Sequence, residues 1–208
     1  MISTRSLDAA VQRRIWVICE GKHEQSGALE CLIRRIMPAA TACEFVFESW
    51  KNPRGVKRRF RASPKGDGVF KKLIAALIDA SELQYDGVVC VIDCDRDPGR
   101  VQSVDRAQYD ETFAMARAFG VAIETFDACF LADEKSLSST LRCNVDMQKD
   151  PESNRDAKQT VRDLRDASGI DLGLAECYAN LAEVADLSIM AQRCPKGFAV
   201  WRKRVEQL

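Results

Sequence analysis

Four short apolar runs alternate along the chain with stretches whose apolar residues recur every three or four positions. Ile15-Trp16-Val17-Ile18-Cys19, Glu44–Trp50, Val88-Val89-Cys90-Val91-Ile92 and Val121–Phe126 have the length and β-branched or aromatic content of strands. The run at 88–92 is apolar without alternation, the pattern of a central parallel strand buried on both faces. Between them, Leu29, Leu32, Ile33 and Ile36 repeat at helical spacing within His23–Ile36, and Pro38 closes that segment. Asp67 is placed to cap a helix to about Ala80, with Phe70, Leu73, Ile74, Leu77 and Ile78 inward. The chain from 93 to about Asp105 reads as a loop. Ala107–Phe119 reads as a further amphipathic helix, ended by Gly120 in the C′ position. Three more helices are expected near 156–168, 174–186 and 195–207.

Strands alternating with helices imply right-handed βαβ crossovers, so the expected fold class is α/β. A mainly parallel four-stranded sheet would carry helices on both faces over residues 1–143, with a helical C-terminal extension, 144–208, packed on it. Ligands of such sheets bind beyond the carboxyl ends of the strands. There the chemistry gathers: Glu20 closes the first strand, and Asp93, Asp95 and Asp97 follow the central one before Pro98-Gly99. If residues 93–95 stay extended, side chains two apart point to the same side, and two carboxylates converge. Carboxylates so close raise each other's pKa unless a cation holds them, and a hard divalent ion takes oxygen ligands.

Composition narrows the class without naming it. The 208 residues are 46% hydrophobic and 30% charged, ordinary for one globular core. No apolar run reaches the roughly 20 residues of a membrane helix, and the polar, mixed-charge start reads as neither signal nor transit peptide. Nine cysteines, odd in number and without a CxxC pair, read as buried reduced thiols of a cytoplasmic protein. The formal net charge is +0. Its distribution is uneven, because Lys51, Arg54, Lys57, Arg58, Arg59, Arg61, Lys65, Lys71 and Lys72 share one stretch with a single acid, Asp67. That stretch is either a phosphate-backbone footprint or a solvated loop.

The DxD element alone is compatible with several chemistries. An EF-hand is excluded by Pro98 at the sixth loop position and Val104 at the twelfth. Aspartyl-nucleophile phosphatases carry their DxD on the first strand, and sugar transferases offer no reason for Glu20. Glu20-Gly21-Lys22-His23-Glu24 changes the balance, since a lone acid closing a buried strand needs a partner. Glu24 either serves the site or complements a helix N-terminus. Phe130-Leu131 reads as core. Asp133-Glu134-Lys135 has a plain alternative as a helix start.

Val17-Ile18-Cys19-Glu20-Gly21-Lys22-His23-Glu24 followed by Val91-Ile92-Asp93-Cys94-Asp95 resembles the TOPRIM signature of topoisomerases, primases and OLD-family nucleases. The Glu-x-x-x-Glu spacing is closer to the OLD branch. Phe126–Asp133 and Arg193-Cys194-Pro195-x-x-Phe198 look like small stand-alone TOPRIM-like proteins encoded beside ATPases in bacterial defence loci. The resemblance implies a Mg2+- or Mn2+-dependent nuclease acting on DNA rather than RNA. Glu20 would be a metal ligand or general base, Asp93 and Asp95 metal ligands, and Glu24 a ligand for a second ion. Asp97, Asp127 and Asp133 would complete the acidic set. OLD-type enzymes also carry a lysine near the site, for which Lys22, Lys135 and the basic segment compete. Lys22, Lys51, Arg54, Lys57, Arg58, Arg59, Arg61 and Lys65 would hold nucleic acid. No Walker motif is present, so ATP dependence would come from a partner ATPase. The expected rivals are a non-catalytic interaction subunit of an ATPase complex and a metal-dependent phosphatase or nucleotidyl-transferring enzyme. No membrane partner is expected, and a homo-oligomer is left open.

Overall fold

The computed structural model describes residues 12–20, 27–37, 43–50 and 67–208. Within them lie four strands, β1 (Arg13–Cys19), β2 (Cys43–Ser49), β3 (Gly87–Asp93) and β4 (Ala116–Ala122). All pair in parallel, in the order β2-β1-β3-β4. The fold is α/β and Rossmann-like, as the alternation of periods predicts.

The helices are α1 (Ala28–Ile36), α2 (Gly68–Glu82), α3 (Pro98–Gln108), α4 (Glu134–Leu141), α5 (Ala157–Ser168), α6 (Leu174–Val184), α7 (Leu187–Arg193) and α8 (Phe198–Val205). Side chains alternate across the sheet. Ile15, Val17, Cys19, Val89, Val91 and Ala118 face a core shared with α1 and the C-terminal helices. Trp16, Ile18, Val88, Cys90, Ile92 and Phe119 face a second core under α2 and α3. Since α2 and α3 both cover the second face, α1 is, among the described residues, the one crossover helix on the first. The C-terminal helices fill the rest of that face. Arg35 of α1 fastens α6 by donating to the Ala182 and Ala185 carbonyls, and Arg204 of α8 donates to the Phe119 carbonyl at 2.7 Å and pairs with Asp105 at 2.7 Å.

The stretch after the central strand departs from expectation. The helix expected over 107–119 lies earlier, at Pro98–Gln108, and the fourth strand runs 116–122 rather than 121–126. Local chemistry explains the start: Asp97 is an N-cap whose carboxylate accepts the Gly99 N–H, and Pro98 occupies the first turn. Gly120 is no helix cap. It pairs with Val91 in the ladder, and a Cβ there would lie 2.5 Å from Trp201 Cδ1. The glycine lets α8 close on the sheet, which a residue-by-residue periodicity does not reveal.

Smaller differences follow the same logic. The stretch 126–132 is a buried 3-10 turn, with Phe130 and Leu131 2% and 0% exposed. The last expected helix, 195–207, is α8 over Phe198–Val205; α7 over Leu187–Arg193 is not among the expected helices, and α6 ends at Val184. Asp67 makes no side-chain cap bond; it pairs with Arg106 at 2.9 Å instead.

Candidate acidic site at the carboxyl edge

The strand order reverses between β1 and β3, so their carboxyl ends flank a topological switch point. Glu20 directly follows β1, and Asp93 ends β3. The Glu20 Oε2 accepts the Asp93 backbone N–H at 2.9 Å. The Asp93 Oδ1 in turn accepts the Phe126 N–H at 2.8 Å, at the start of the 3-10 turn after β4. Three strand ends are thereby linked through two carboxylates.

Asp93 and Asp95 do not converge by strand alternation. Asp95 and Arg96 take positive φ values of 49° and 60°, turning the chain sharply. Asp95 is drawn in by Arg100, from the first turn of α3. The Arg100 Nη1 lies 3.0 Å from Asp95 Oδ2 and 3.3 Å from Glu20 Oε2, and donates to the Asp93 carbonyl at 2.6 Å. Burial pushes the Asp93 carboxyl up from 3.8 to about 7; the Phe126 N–H opposes this, while Glu20, Asp127 and Asp95 reinforce it.

Asp127 therefore belongs to the same group. It also faces the hydroxyl of Tyr178, whose pKa is raised by burial and then by that carboxylate. Lys72 of α2 approaches from the opposite core. It is 6% exposed, its Nζ donates to the Trp50 carbonyl, and it lies 4.1 Å from the Trp50 ring centroid. Burial lowers its pKa against the attraction of Glu20. Beside the group, Arg96 pairs with Glu124 at 3.6 Å.

Other expected ligands stand elsewhere in the hydrogen-bond network. Asp97 caps α3, its Oδ1 accepting the Gly99 N–H at 3.0 Å. Asp133 is 2% exposed and caps α4: it accepts from the Lys135 and Ser136 amides, the Ser136 hydroxyl and the Asp186 amide. Burial alone would raise its pKa, but these donors leave it lowered. Both carboxylates serve as helix N-caps in this structure. Lys22, Glu24, Lys51, Arg54, Lys57, Arg58, Arg59, Arg61 and Lys65 lie outside the described residues.

The donors at this edge are carboxylate and carbonyl oxygens, the right kind for a hard divalent ion. The raised Asp93 pKa comes first from burial and then from the charges of Glu20, Asp127 and Asp95. Their arrangement is set by Arg100, and among the described residues no three Asp, Glu, His or Cys side chains are grouped as a ligand set.

Arg100, Lys72 and Tyr178 are the participants that sequence reasoning missed. In sequence Arg100 falls in an expected loop and Lys72 in a diffuse basic stretch, and Tyr178 lies on a distant helix. The position of Lys72 within a helix, five residues after the cap site, was the available signal.

No family model, curated protein or solved structure matches the chain.

Proposed function

We propose that this chain is a TOPRIM-type, divalent-metal-dependent nuclease that hydrolyses phosphodiester bonds, with DNA as the substrate class. The observation that carries the proposal is the linkage of Glu20 and Asp93 across the β1/β3 switch point, with Asp93 pushed to about 7 among neighbouring acids. A carboxyl perturbed by burial and by nearby acids, at the carboxyl end of a central strand, is the kind of group that concentrates where chemistry is done.

Glu20, Asp93 and Asp95 would hold Mg2+ or Mn2+. An ion there supplies Lewis-acid activation of a phosphoryl oxygen and a hydroxide at neutral pH. As a ligand Asp93 would be ionised, its Oδ1 already oriented by the Phe126 N–H that it accepts. Lys72, within the field of Glu20, would offset negative charge developing on the phosphodiester. The basic segment before α2 would hold the nucleic-acid backbone. Nine free thiols suit a reducing compartment such as the cytoplasm. A partner ATPase and a role in phage defence belong to this proposal through the TOPRIM resemblance.

One observation favours a second reading, a non-catalytic subunit: Arg100 already neutralises Glu20 and Asp95. Incubating the purified protein with supercoiled plasmid and Mn2+ or Mg2+, beside Asp93→Asn, separates the two. Metal-dependent nicking that disappears in the folded variant supports the nuclease. A well-folded protein that neither nicks plasmid nor RNA nor binds metal removes the catalytic reading and leaves the interaction subunit.

A further inference from the structure

A cation in the first turn of a helix works against the macrodipole, so the position of Arg100 must be stabilised by something else. Its side chain is 11% exposed, and one nitrogen, Nη1, gathers oxygens from Glu20, Asp95 and the Asp93 carbonyl at 3.3, 3.0 and 2.6 Å. Three oxygens around one positive centre are the donors a hard divalent ion would take. The turn that brings Asp95 to Arg100 uses two consecutive non-glycine residues in left-handed backbone, a conformation L side chains rarely adopt. Asp95 itself is the most open member, its side chain 58% exposed. The contact is thus held by charge rather than by packing.

We propose that Arg100 is an internal counter-ion that closes the acidic site and is expelled when a divalent metal binds. This rests on the metal-dependent reading above and adds its regulation. Metal entry exchanges one cation for another: the guanidinium leaves Glu20 and Asp95, and the ion takes their oxygens. No bond is made or broken covalently. The exchange sets a threshold, because the metal must outcompete a guanidinium already paired. Below that metal concentration the site stays shut.

Bound Mn2+ can be counted directly by electron paramagnetic resonance in the wild type, Arg100→Gln and Arg100→Lys. Removing the counter-ion should tighten Mn2+ binding by about tenfold or more, the scale of one charge-assisted contact. Arg100→Lys, which keeps the charge, should stay near the wild type. A second measurement needs no folded Gln variant. The Arg100 side-chain N–H resonance, assigned by its loss in Arg100→Lys, should exchange slowly in metal-free wild type. It should exchange like an exposed arginine at saturating Mg2+. Mn2+ bound by the wild type but no tighter in folded Arg100→Gln overturns the counter-ion role and leaves the metal site standing. So does an Arg100 resonance unchanged by Mg2+ that binds. Absence of Mn2+ binding in both the wild type and a folded Arg100→Gln overturns the metal reading and this inference with it.

Discussion

The Glu20 carboxylate accepts the Asp93 amide at 2.9 Å, so the acid that closes β1 completes the hydrogen bonding of the acid that closes β3. Neighbouring parallel strands are thereby locked at the edge where ligands of such sheets bind. The same Glu20 oxygen faces Arg100, so sheet, turn and helix α3 meet at one atom.

The pKa of Asp93 ties stability to pH. A carboxyl near 7 when folded and near 3.8 when unfolded gives a native state that binds more protons between those values. Stability in metal-free buffer should therefore fall as pH rises from about 4 to about 7 through this group, by on the order of a few kcal/mol. Asp93→Asn should flatten that slope and be the more stable protein at pH 8. Urea titrations across pH check it; parallel curves for the two proteins would contradict the assignment.

Asp133 should show the opposite sign. Its lowered pKa contributes stability that is present above the unfolded value and lost as pH falls through the folded one. Asp133→Ala removes four accepted hydrogen bonds and should cost about 2 kcal/mol or more. It should leave Mn2+ affinity unchanged. A loss of metal binding in a folded Asp133→Ala protein would place this residue in the ligand set.

Lys72→Met keeps the aliphatic stem and removes the ammonium that bonds the Trp50 carbonyl. If nicking is observed, the variant should lose about 100-fold in rate, the scale of one electrostatic donor. Mn2+ binding should persist, and Lys72→Arg should recover part of the activity. Equal rates in wild type and Lys72→Met would confine Lys72 to packing.

Gly120→Ala tests the closure of α8 on the sheet. The new methyl would lie 2.5–2.7 Å from three Trp201 atoms, none of which is the free end of a flexible chain. Overpacking of this kind should destabilise by about 2–3 kcal/mol in chemical denaturation. A change under about 0.5 kcal/mol would mean that α8 shifts freely on β4.

Much of the fold was legible because it rests on local signals. The apolar runs of β1 and β3 survive folding nearly unchanged, since burial on both faces demands them, and the half-buried edge strand β2 and the periodicity of α2 were also readable. The segment from 93 to 126 misled for an equally physical reason. Ala107–Phe119 carries a helix-compatible spacing, yet a capped proline start pulls the helix forward and ladder pairing with β3 claims the residues that follow. At the site, the convergence of Glu20 with Asp93 was readable from two strand ends. Asp97 and Asp133 cap helices, and in sequence a carboxylate that caps a helix and one that binds a metal look alike.

By itself, then, the sequence determined the α/β class, the parallel central strand and the placing of two acids at its carboxyl edge, because period and strand-end chemistry are local properties. Only the tertiary structure decided which charges meet those acids. Arg100 and Lys72 come from different helices on the same face of the sheet, and Asp127 and Tyr178 from the opposite side. Their proximity depends on crossover handedness and on how the C-terminal helices fill the face that α1 leaves uncovered. No spacing along the chain encodes that, since it follows from burying both faces of one sheet.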